Sequence, residues 1–204
     1  MVAALARRMR ASAVLPDYRL APEHPFPAAP RDALAAYAGL LDEGIDPARI
    51  VMGGDSAGGG LVFAALHMAL AEGLPLPAAM LAFSPWADLT GSGESLTTLA
   101  RRDALIPVRR FAEIRDVYLA GADPRDPRAS PVFGRFAGAP PVLIQASEHE
   151  VLRDDARMLA ARLRADGAAA TLELTPRVPH VWQIFQRHLP EADAALDRAA
   201  AFLG

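Results

Sequence analysis

The stretch Ile50-Val51-Met52-Gly53-Gly54-Asp55-Ser56-Ala57-Gly58-Gly59-Gly60, followed by the apolar run Leu61 to Leu70, decides how this chain is read. A strand-like apolar run enters it and a helix-like apolar run leaves it. Between them Gly54-Asp55-Ser56-Ala57-Gly58 satisfies G-x-S-x-G, a strand–turn–helix device that exposes a serine at the top of a sheet. A serine hydroxyl is a weak nucleophile until a neighbouring base and the N–H donors of a helix terminus act on it. Glycines two residues before and two after the serine are expected to let strand and helix approach closely, because they lack Cβ.

A glycine-rich turn that opens a helix also serves as a phosphate cradle. The P-loop needs G-K-[ST], however, and all 21 basic residues here are arginine. No G-x-G-x-x-G fits the glycines either, which excludes that dinucleotide fingerprint. Absence of lysine removes Schiff-base chemistry. Absence of cysteine removes disulfides, thiolate metal sites and a thiol nucleophile.

With 204 residues the chain fits one domain with a substantial core. No apolar run approaches the roughly 18 residues of a membrane span. The net charge of −3, with acidic and basic residues interspersed, suggests neither a nucleic-acid nor an anionic-membrane partner. In Met1 to Arg10 the arginines follow a short apolar stretch, the reverse of a signal peptide. The segment reads as the end of an amphipathic helix, and the protein as cytoplasmic.

Strand-like runs fall at 11–15, 49–53, 78–83, 141–146 and 170–175, and helix-like stretches at 28–43, 57–72, 153–166 and 190–203. Such alternation predicts an α/β fold, a parallel sheet covered by helices on both faces. The polar, arginine-rich stretch 88–135 is long for a connection and is expected to be a helical excursion with its own role.

An activated serine needs a histidine base, and the base needs a carboxylate to fix its tautomer. Among five histidines, His180 in Val178-Pro179-His180-Val181-Trp182 follows the last strand-like run and is the candidate. His24, His67 and His188 fit structural roles better. Glu148-His149-Glu150 resembles a metal cluster only superficially, since three adjacent ligands on one loop rarely converge on an ion. The loop after 141–146 offers Glu148, Glu150, Asp154 and Asp155 as the acid, and spacing does not separate Glu148 from Glu150. Asp154 and Asp155 read as first-turn helix residues facing the helix dipole.

Several further motifs together resemble the hormone-sensitive-lipase-like esterases of the α/β-hydrolases. Asp17-Tyr18-Arg19-Leu20-Ala21-Pro22-Glu23-His24-Pro25-Phe26-Pro27-Ala28 is similar to that family's D-Y-R-L-A-P-E-H-x-F-P-A block, and Gly54 to Gly59 to its G-D-S-A-G-G elbow. Ser84-Pro85-Trp86, Ser130-Pro131 and Pro179-His180-Val181-Trp182 match as well. The resemblance implies an α/β-hydrolase three-layer sandwich with a mostly parallel sheet, residues 1–204 forming one partial domain and 88–120 a cap segment. It implies the triad Ser56, Glu150 and His180, with Glu150 in the first position of D-x-L-x-D as a Glu-for-Asp variant. It gives Asp154 a loop-organising role, and Arg19, Glu23 and His24 roles in tying down a turn.

It also implies hydrolysis of short-chain acyl esters through an acyl-enzyme, with no metal or cofactor. A homodimer through strand 170–175 and the last helix would follow by the same analogy. Family members carry H-G-G-G upstream of the D-Y-R-L-A-P-E block, and its glycine N–H groups supply most of the oxyanion hole. In this sequence only the Ala57 N–H remains of those donors, and the first strands and half of the cap are expected to be absent. A catalytically impaired or ligand-binding protein is the alternative expectation. The missing strand would lie between 11–15 and 49–53, so these two runs must pair or leave an exposed edge.

Overall fold

The computed structural model describes residues 1–202, and the last residue of the helix expected over 190–203 lies outside them. Four parallel strands form one sheet in the order β1-β2-β3-β4: β1 Val51–Asp55, β2 Ala79–Phe83, β3 Val142–Ser147 and β4 Ala170–Thr175. β1 starts two residues later than the apolar run suggests. Asp46 accepts a bond from the Ala48 N–H at 2.9 Å and caps a tight helical turn over Pro47–Arg49.

Side chains alternate across the sheet with period two, and each face has its own helices. Met80, Ala82, Val142, Ile144 and Ala146 face one way, packed with Phe63 and Leu66 of α3 (Ala57–Glu72) and Leu159 and Leu163 of α6 (Arg153–Ala165). Leu81, Phe83 and Leu143 face the other way, against Ala4 of α1 (Val2–Met9) and Leu196 and Ala199 of α7 (Pro190–Ala201). Further out, α2 (Ala28–Asp42) packs on α3. The N-terminal segment is indeed an amphipathic helix. Arg8 fastens it to α7, its guanidinium donating to Asp193 at 2.7 Å and to Asp197 at 2.6 Å.

The expected strand over 11–15 does not form. These residues are exposed and join no strand, with Val14 64% and Leu15 69% accessible. The anchors of the segment that follows run elsewhere. Arg19 donates to Asp32 of α2 through its backbone and its guanidinium, and the Phe26 N–H donates to the Tyr118 carbonyl. Of the two possibilities for this edge, the open one is realised, and β1 has a single ladder partner among the described residues.

The excursion 88–135 is helical only in part, with α4 (Ser95–Thr98) and α5 (Phe111–Leu119) joined by turns. Its order comes from carboxylates folded back on backbone. Asp88, fully buried, accepts from the N–H groups of Thr90 and Ser92, and the Ser130 hydroxyl accepts from the Leu89 N–H at 2.7 Å. Leu81→Ala should lower unfolding free energy by about 2–5 kcal/mol in urea titration, the cost of a buried cavity. Val14→Ala should change it by less than about 0.5 kcal/mol, because Val14 lies outside the core.

Candidate active site

Ser56 occupies the single residue between β1 and α3, and its backbone sits at φ 51, ψ −121. For a residue with a Cβ this is strained, at a cost on the order of 1–3 kcal/mol that surrounding contacts must offset. Those contacts are present. The Ser56 N–H donates to the Phe83 carbonyl at 2.9 Å, and the Ser56 carbonyl accepts from Trp86 N–H at 2.9 Å and Gly60 N–H at 3.2 Å.

Glycine is required here, though not at every expected position. A Cβ on Gly54 would strike the Gly58 carbonyl, one on Gly59 would lie 2.9 Å from Pro85 Cα, and one on Gly60 would strike the Trp86 carbonyl. A Cβ on Gly58 would meet nothing within 4 Å, so the close approach depends on Gly54, Gly59 and Gly60 rather than Gly58. Asp55 ends β1 in register with Phe83.

The Ser56 hydroxyl donates to His180 Nε2 at 3.0 Å, and His180 Nδ1–H donates to Glu150 Oε2 at 2.6 Å. The serine–histidine bond fixes the acceptor nitrogen, and the carboxylate fixes the tautomer. Glu150 is 1% exposed, and its second oxygen accepts from the Ser147 N–H at 2.9 Å. Glu148 is exposed to solvent, which separates the two carboxylates that spacing leaves equivalent.

The supporting bonds come from residues to which the sequence assigns no part. Ser147 Oγ–H donates to the Val178 carbonyl at 2.6 Å and joins the acid loop to the histidine loop. Ser84 Oγ accepts from the Val181 N–H at 3.1 Å, beside His180. Ser84-Pro85-Trp86 was a visible motif, but nothing local shows that its hydroxyl reaches 97 residues along the chain. Ala57 begins α3, and its N–H meets no acceptor among the described residues, which leaves it free for an anion at the helix terminus.

The remaining candidates sit apart. His67 contacts the Arg135 backbone, and His149 Nδ1 accepts from the Arg177 N–H at 3.0 Å. The His24 and His188 N–H groups close local turns. Glu23 is exposed and forms no hydrogen bond among the described residues. No group of three or more His, Asp or Glu there is arranged to hold a metal ion.

Asp154 and Asp155 do lie in the first turn of α6, and both serve as tethers. Asp154 accepts from the Ser95 N–H at 2.8 Å. Asp155 accepts from the N–H groups of Ala87 and Asp88, each at 2.9 Å, and so fixes the loop leaving β2. Burial pushes the Asp155 carboxyl up to about 8; the two N–H donors oppose the shift and the charges of Asp88 and Asp154 add to it.

The fold coincides with that of known proteins. A family profile described as an alpha/beta hydrolase fold matches residues 1–184. An esterase from the bacterial hormone-sensitive lipase family superposes with TM-score 0.95 at 48% identity, over 98% of this chain and 67% of that one. The chain belongs to the hormone-sensitive-lipase-like family of α/β-hydrolases.

An esterase/lipase from an uncultured bacterium superposes with TM-score 0.93 at 46% identity, over 98% of this chain and 67% of its own. An acetyl-hydrolase of Streptomyces hygroscopicus is 47% identical over 186 residues, 91% of this chain and 62% of the relative. An esterase of Acinetobacter venetianus is 33% identical over 199 residues, 97% of this chain and 66% of the relative. The chain thus spans a little under two thirds of the length of these curated relatives. Among the described residues of this family member, no helix is long and apolar enough to cross a membrane.

Because the folded pKa of Asp155 exceeds the unfolded value near 3.8, its contribution to stability is complete below that value and lost as pH rises through about 8. Asp155→Asn keeps an acceptor for both N–H groups and should flatten the stability profile between these limits in chemical denaturation. Asp155→Ala leaves two buried donors unpaired and should cost about 2–4 kcal/mol at pH 5.

Proposed function

We propose that this chain carries the catalytic centre of a serine carboxylesterase acting on short-chain acyl esters. The observation that supports this most directly is the unbroken relay from Ser56 Oγ through His180 to the buried Glu150, mounted on a strained turn at a helix N-terminus. The names of the relatives, esterases and an acetyl-hydrolase, point the same way.

In this reading Ser56 Oγ attacks the ester carbonyl while His180 Nε2 takes its proton. The tetrahedral oxyanion that forms is met by the Ala57 N–H. His180 then returns the proton to the leaving alcohol, and the carbonyl re-forms as the Ser56 acyl-enzyme. Water attacks that acyl group, again deprotonated by His180, and the acid leaves with Ser56 restored. Glu150 holds the imidazole in place and stabilises its cation without taking the proton. Gly54, Asp55 and Gly58 frame the turn that presents the nucleophile.

Residues 88–120 would form the cap over the acyl group. Hydrogen bonds join this segment to the acid loop and the start of α6: Val151 N–H to Asp103, Ser95 Oγ–H to the Val151 carbonyl, Asp154 N–H to Ser95 Oγ, and Ser95 N–H to the Asp154 carboxylate. A cytoplasmic ester of a small acid is the substrate class this reading favours. β4, one of the two outer strands of the sheet, and α7 are the surfaces through which two copies would pair.

Hydrolysis of a p-nitrophenyl acyl-ester series tests the assignment. Ser56→Ala should abolish turnover, and Glu150→Gln should lower kcat by about 10³–10⁴. Either variant retaining full activity would sink the assignment.

A further inference from the structure

A cleft of about 420 Å³ opens beside His180 and is lined by Arg102, Asp103, His149, Arg177 and Pro179, among others. Its charges are distributed unevenly. Arg102 and Arg177 are exposed, and neither guanidinium has a carboxylate partner among the described residues. Asp103 is the one carboxylate of the lining, and its oxygens are already engaged. Oδ1 accepts from the N–H groups of Leu105 and Ile106 at 2.9 and 3.0 Å, and Oδ2 from the Val151 N–H at 2.9 Å.

His149 adds a third donor. Its Nδ1 accepts the Arg177 N–H, so the neutral ring carries its proton on Nε2. The same bond holds the backbone of Arg177, which sits at φ 57, against the acid loop. The Glu148 N–H, donating to the Thr175 carbonyl at 3.0 Å, closes that junction. Glu148 itself does not line the cleft, and Glu150 is committed to His180.

We infer that this cleft binds an anionic group on the ester substrate, a carboxylate or a phosphate, between Arg102 and Arg177. Planar guanidinium donors match both anions, and Asp103, held by three backbone N–H groups, forms no ion pair with either arginine. Because the cleft abuts His180, the anion belongs to the same small molecule as the scissile ester. The preference expected is thus for half-esters of dicarboxylic acids, or for acyl esters of a phosphorylated alcohol, over their uncharged counterparts. The inference rests on the esterase reading of Ser56, His180 and Glu150.

Matched ester pairs separate the two. Mono-p-nitrophenyl glutarate is compared with its methyl-capped neutral form, and butyryl glycerol 3-phosphate with butyryl glycerol. Turnover of the neutral members tests the esterase reading alone. The charged-to-neutral ratio of kcat/KM should be about 5–10 for at least one pair. The pair that shows it tells carboxylate from phosphate. The ratio should fall to about one in Arg102→Gln/Arg177→Gln, with the change carried in KM, and should shrink in high salt. A wild-type ratio of one or less for both pairs, or a ratio that survives the double substitution, overturns the proposal. Should no ester be turned over, calorimetry on the Ser56→Ala chain decides it. Binding of monomethyl glutarate or glycerol 3-phosphate that the double substitution removes supports the cleft; absence of binding by both refutes it.

Discussion

Everything else in the structure serves the turn at Ser56. An L-residue is forced into a backbone region it disfavours, and three hydrogen bonds hold it there: one from its own N–H to Phe83, two into its carbonyl from Gly60 and Trp86. Those partners belong to β2, to the loop after it and to α3. The strained turn therefore exists only when the parallel pairing of β1 with β2 is complete. The continuous apolar run of β2, buried on both faces, supplies the stability that offsets the strain of the turn.

The same economy extends to the proposed base and acid. His180 and Glu150 lie on loops after different strands, and a loop does not hold a side chain in place without anchors. Here the anchors are short polar side chains bonded to distant backbone: Ser147 to Val178, Ser84 to Val181, Asp103 to Val151, and Asp155 to Ala87 and Asp88. Each satisfies a buried donor or acceptor and orients a neighbour of the relay. Asp155 shows the cost, since a carboxyl buried between two other acidic residues is held far from its usual titration range.

Local pattern made most of the framework legible. The helices over α2, α3 and α6 and the strands β2, β3 and β4 lie within one or two residues of their expected bounds, because their apolar periodicity is also their packing. The run at 11–15 has the composition of a strand but no ladder, because pairing is a property of two segments and the second is not supplied by composition. Ser56 and His180 could be read from motif and chain order. Glu150 could be told from Glu148 only through family resemblance, whereas burial separates them at once. The serine and aspartate anchors were invisible because their partners are backbone groups tens of residues away. The requirement for Gly60 was hidden for the same reason, as it arises from the Trp86 carbonyl.

In the proposed mechanism the fold itself activates Ser56. Treatment of the folded chain with a fluorophosphonate probe, followed by mass spectrometry of the adduct, tests it most directly. The account predicts a single adduct on Ser56 that disappears when the chain is unfolded in urea before labelling. A chain that is folded by circular dichroism yet carries no adduct, or carries it on another hydroxyl, would contradict the account.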